Sequence, residues 1–158
     1  MGLFGFGKKK EWDMARVEEV KQKMRTLFNG VVEDGDTWKI VGGYALDIKT
    51  SNYIIARKTT YQYTSLIIGY REEDKAVALV QTTPDLDGCS EAEIFRPDTI
   101  KKAGMSFGEY VFYHQGGMMA GYTKFCVPTE ADEKELLYLY QPEGQKEFEV
   151  LFKKIMGK

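Results

Sequence analysis

Apolar side chains at Val17, Val20, Met24, Leu27 and Phe28 recur at helical spacing within EWDMARVEEVKQKMRTLF, residues 11–28. That rhythm predicts an amphipathic helix, with Glu18, Glu19, Lys21, Lys23 and Arg25 on its polar face. Asn29-Gly30 then reads as a left-handed stop. From there to residue 141 the pattern changes to period two, the alternation of strands. TWKIVGGYALDI (37–48) places Trp38, Ile40, Tyr44, Leu46 and Ile48 on one face, and Gly42-Gly43 inside it predicts a bulge or a bend.

NYIIARK (52–58) and YQYTSLIIGY (61–70) follow as strands, and REEDK (71–75) is a charged turn into AVALVQTT (76–83). PDLDG (84–88) is a loop, and AEIFR (92–96) is a short strand. PDTIKKAG (97–104) reads as a helical turn or a loop. EYVFYHQ (109–115) and MMAGYTKFCV (118–127) form a hairpin about Gly116-Gly117. LLYLYQ (136–141) fits a last strand or a helix. Phe148, Leu151, Phe152 and Ile155 then make a helical stripe, which predicts a closing helix over 143–156, with Pro142 before it.

The fold class is therefore α+β: an N-terminal helix, a strongly bent, mostly antiparallel sheet or barrel of seven or eight strands, and a C-terminal helix. Residues 1–10 read as a flexible leader and 11–158 as one globular domain. The element order, and the stretch from IFRPDTIKK to EFEVLFKKI, resembles the pleckstrin-homology-like barrel, which ends in a capping amphipathic helix. A helix-grip or lipocalin-like cup would share the same pattern.

Composition narrows the function. The formal charge is −2, and without Lys8, Lys9 and Lys10 it would be −5. A weakly acidic body argues against a nucleic-acid partner. Cys89 and Cys126 stand apart and His114 is the sole histidine, so neither a metal site nor a cofactor is expected. Unpaired cysteines and the absence of a secretory pattern point to the cytoplasm. Ten tyrosines suit a sheet with one wet face. Tyr53, Tyr61, Tyr63 and Tyr70 would line such a face or a small apolar cup.

No stretch carries a diagnostic catalytic pattern. His114 has no serine or cysteine elbow to serve, and it reads as a hairpin residue. Acidic neighbours around Cys89 (Asp85, Asp87, Glu91) oppose a reactive thiolate. The DLDG stretch fails the calcium-loop pattern, with Thr83 and Ile94 at ligand positions. A hydrolase or transferase would have to use Asp, Glu or Tyr.

Two constellations remain. Lys49, Arg57 and Lys58 flank the KTSN turn and are candidates for an anionic ligand. In phosphoinositide-binding members of the resembled superfold, basic residues near the first hairpin hold the phosphates. The opening GLFGFGKKK sets Leu3, Phe4 and Phe6 beside Lys8, Lys9 and Lys10, a candidate docking arm or weak contact with an anionic inner membrane surface. The expected function is a non-enzymatic binding or adaptor domain for a protein or peptide partner. The alternative is a small-ligand or lipid-binding cup brought to the membrane by its leader.

Overall fold

The computed structural model describes residues 11–45, 64–114, 121–132 and 136–157. Leu3, Phe4, Phe6, Lys8, Lys9 and Lys10 lie outside the described residues. So do Lys49, Arg57 and Lys58, the strand expected over 52–58, and the Gly116-Gly117 turn.

Helix α1 spans Met14–Val31. The Asp13 carboxylate caps it, accepting the Arg16 N–H at 3.1 Å. Val17, Met24 and Phe28 form its buried stripe. Asn29-Gly30 does not stop the helix. The Val32 N–H still donates to the Phe28 carbonyl, and the Asn29 amide is engaged by Asp36 at 2.9 Å. A 3-10 turn at Gly35–Thr37 leads into the first strand.

Four strands then run as a meander: β1 Lys39–Ala45, β2 Thr64–Arg71, β3 Ala76–Thr82 and β4 Glu93–Phe95. A second meander follows: β5 Ile100–Ser106, β6 Glu109–His114 and β7 Tyr122–Cys126. Together they make one antiparallel sheet in the order β4-β3-β2-β1-β7-β6-β5. A small ribbon, β8 Glu130–Ala131 with β9 Leu139–Tyr140, precedes helix α2, Pro142–Met156. The run 136–141 thus supplies a two-residue strand, and Pro142 opens the helix, where its missing N–H costs nothing.

The sheet curls but does not close into a barrel. Its edges are β4 and β5, yet only Arg96–Thr99 separate them in sequence. A flat sheet of this size would hold its edges about 29 Å apart at about 4.8 Å per strand. The linking residues span at most about 18 Å. Curling is therefore obligatory, and it brings Phe95 of β4 to stack on Phe112 of β6 at 4.6 Å. Among the described residues no strand pair joins β4 to β5. β4 is three residues long, Pro97 has no N–H to offer, and the β5 register shifts between Ile100 and Lys102. Residues 100–104 are accordingly edge strand, not helical turn, and Lys101 and Lys102 are exposed along it.

β2 is covered on both faces, being buried from Thr64 through Tyr70, whereas the face of the second meander that carries Lys102, Tyr113 and Tyr122 is the wet one, with Tyr122 52% exposed. The concave face holds α2, whose Phe148, Leu151, Phe152 and Ile155 pack among Tyr110, Phe112 and Phe125. Burial contributes about 1.5–3 kcal/mol for each such side chain. The convex face holds α1, with Met24 and Phe28 against Trp38, Ile67 and Ala78. Gly69 lets Phe28 approach, since a Cβ there would lie 2.3 Å from the ring. The start of α1 is tied to the ribbon: Trp12 packs against Tyr138 and Tyr140 at 5.1 and 5.3 Å, and the Asp13 N–H donates to the Tyr138 hydroxyl.

Gly42-Gly43 forms no bulge, because β1 stays in register with β2 throughout. The glycines serve close approach. A Cβ on Gly43 would meet the Cys126 carbonyl at 2.3 Å, beside the β1–β7 pair registered among the described residues, Tyr44 with Cys126. Beyond that pair the Gln141 side chain fills the seam. Its Oε1 accepts the Gly42 N–H at 2.9 Å, and its Nε2 donates to the carbonyls of Gly42 and Pro128, both at 2.8 Å. One side-chain amide thus does what a neighbouring strand would do.

Two predictions follow from the fold. Gln141→Leu leaves the buried N–H and C=O of Gly42 unpaired, and should lower the urea unfolding free energy by about 2–4 kcal/mol. The β5–β6 turn, Phe107-Gly108, has φ of 51° and 82°, a mirror-type turn that favours Asn-Gly, and Phe107 is fully exposed. Phe107→Asn should therefore stabilise the chain by about 0.5–1 kcal/mol in the same measurement.

Candidate functional site

The curl leaves a cleft of about 600 Å³ where the start of β1 and the end of β2 meet the outer side of α2. Residues far apart in sequence converge there. Tyr70 and Leu151 are buried at its base, while Lys39, Glu72, Glu147, Val150 and Lys154 stand exposed around it.

Tyr70 sits in the concave core, edge-on to Phe148 at 5.6 Å, and its hydroxyl reaches outward to donate to Glu147 Oε1 at 3.1 Å. Burial first, and then the Glu147 charge, push the phenol far above its ordinary value of 10. It therefore stays a neutral donor. The same Glu147 oxygen accepts from Lys39 Nζ at 3.2 Å. Across the cleft Lys154 pairs with Glu72, and this holds the Glu72 carboxyl below the usual range.

Arg71 forms the fixed wall. Its Nε and Nη2 donate to the two oxygens of Asp74 at 3.0 and 2.9 Å, and Nη1 donates to the Thr37 hydroxyl at 2.9 Å. The guanidinium lies 4.4 Å from the centre of the Trp38 ring. Arg96 Nε adds a further bond to Asp74 at 3.1 Å, tying the β2–β3 turn to the edge linker. The cleft thus has a rigid cation on one wall and exchangeable ion pairs on its rim.

Of the candidate residues singled out from sequence, Tyr70 alone lines this site among the described residues. All nine candidate basic and apolar contacts lie outside the described residues. Of the tyrosine group only Tyr70 is described; its ring belongs to the core and its hydroxyl end lines the cleft. His114 ends β6 with Nε2 2.7 Å from the Thr123 hydroxyl and its ring beside Phe95. Burial raises both thiols, at Cys89 and Cys126, so neither carries an activated thiolate. Asp87 accepts the Thr83 hydroxyl at 2.6 Å, and its N–H donates back to that oxygen, a self-capped loop. Among the described residues no group of three His, Cys, Asp or Glu could hold a metal, and no helix is long and apolar enough to cross a membrane. Lys39 and Glu147 carried no signal in the sequence, and Tyr70 carried one only as part of a tyrosine group, because only the fold brings the three together.

Comparison with known protein families, with curated proteins and with solved structures returns no match.

The Arg71–Asp74–Arg96 cluster generates a pH prediction. Arg71's hydrogen bonds first, with help from Arg96, depress the Asp74 carboxyl from 3.8 to about 2. A depressed folded-state value stabilises above the unfolded value, and that stabilisation is lost as pH falls through the folded one. Stability should therefore drop between about pH 4 and pH 2. Allowing for solvent screening, the cluster contributes on the order of 1 kcal/mol near neutrality. Asp74→Asn should remove that part of the acid transition, measured as urea unfolding free energies of both chains across the window.

Proposed function

We propose that this protein is a non-enzymatic binding module, and that the cleft between β1, β2 and α2 receives a short segment of a protein partner. The observation that carries the reading is the cleft's make-up: an apolar base beside ion pairs that are already matched and mostly exposed. Lys39 and Glu147 are 69% and 53% exposed, and such pairs contribute about 0–1 kcal/mol. A ligand exchanges them at little cost. Neutral Tyr70 and depressed Glu72 are recognition groups rather than proton-transfer groups poised near neutrality.

The pleckstrin-homology-like likeness belongs to the same reading. A four-strand meander, a three-strand meander and a closing amphipathic helix support it, with the sheet open rather than closed. The concave face that a lipid-holding cup would use is filled by Phe148, Phe152 and their neighbours, which favours the outer cleft in this reading. The two free thiols, Cys89 and Cys126, support a cytoplasmic setting.

Val150 is 56% exposed, so Val150→Arg should fold normally while filling the cleft. A random peptide library selected on the full chain should yield binders that shift the amide resonances of Tyr70, Val150 and Leu151. Those binders should fail on the Val150→Arg chain. Binders that hold the variant equally well would refute the reading.

A further inference from the structure

The outer stripe of α2 points to the chemistry of the partner. Lys146, Val150 and Lys154 recur every four residues, so they stack on one helical face about 6 Å apart. An apolar side chain is thereby flanked by two ammonium groups. The opposite wall adds Lys39 and the fixed Arg71. Against these four cations stand the lining carboxylates Glu72, Glu73 and Glu147 and the Asp74 that holds Arg71, so charge is balanced in the cleft on a chain of net −2.

The cations differ in what they already hold. Arg71 is held by Asp74, Lys39 by Glu147 and Lys154 by Glu72. Among the described residues Lys146 has no ion-pair partner. A carboxylate arriving beside Val150 completes the pattern, whereas a lysine arriving there meets Lys146.

We propose that the cleft selects an acidic–apolar peptide segment, with an apolar side chain on Val150 and Leu151 and a carboxylate on Lys146. This rests on the peptide-binding reading above and adds the charge of the partner to it.

The test uses the full chain and short labelled peptides: one with leucines flanked by glutamates, and the same peptide with lysines in place of the glutamates. Phosphatidylserine vesicles form a third arm. The acidic peptide should bind, shift the Val150 and Leu151 amides, and weaken as salt rises. Lys146→Glu changes an exposed side chain outside both core clusters and should weaken it about tenfold. Lys146→Gln should give an intermediate loss.

A lysine peptide that binds the cleft as well as the acidic one overturns the charge preference and leaves the peptide-binding reading standing. Vesicles that displace the acidic peptide from the cleft also overturn it, in favour of a lipid surface. If neither peptide perturbs the cleft, or the shifts map to the Phe107 turn, both readings fail together.

Discussion

Arg96–Thr99 must carry the chain from one edge of a seven-stranded sheet to the other, and that demand shapes the molecule. The linker is shorter than the width of a flat sheet, so the strands curl until Phe95 reaches Phe112. Curling creates a concave face, and that face would expose Tyr110, Phe112 and Phe125 to water without α2. The aromatic side of α2 fills it. The outer side of the same helix then overhangs the ends of β1 and β2, and the overhang is the cleft. Edge geometry, core and candidate site are successive consequences of one short connection.

The two meanders join between β1 and β7. Among the described residues they share the registered pair Tyr44–Cys126, beside which Gly43 has no side chain to hold the strands apart. Further along the seam the backbone of Gly42 would lack a partner. Burying an unpaired amide costs about 1–3 kcal/mol for each orphan group. Gln141 resolves this with one amide, and it does so from the residue that opens α2. The join between the meanders and the docking of the closing helix are therefore coupled through one side chain.

The parts of this fold that the sequence displayed are those governed by local spacing. Both helices were visible because Val17, Met24 and Phe28, and Phe148, Leu151 and Ile155, lie on single faces. Hairpin strands were visible because turn residues separate alternating runs. What was hidden depends on partners remote in sequence. IKKAG looked like a turn because an edge strand tolerates exposed lysines, and Gly42-Gly43 looked like a bulge because its reason lies in Cys126 and Leu139. Asn29-Gly30 looked like a stop, but Asp36 claims the asparagine. The cleft was hidden for the same reason: Lys39, Tyr70 and Glu147 meet only after the sheet has curled.

The two sides of α2 divide the work by the strength of their interactions. Four buried apolar side chains at about 1.5–3 kcal/mol each hold the helix in place. The exposed pair Lys39–Glu147 contributes at most about 1 kcal/mol, and Lys154–Glu72 lies open to solvent, so the helix does not need them. Groups that the fold does not need are groups that a ligand can take. Arg71 is the contrast, fixed by Asp74, Thr37 and Trp38 and so unable to follow a ligand. A stationary cation facing a rim of replaceable ion pairs is a preorganised surface, and preorganisation is what makes a small cleft selective.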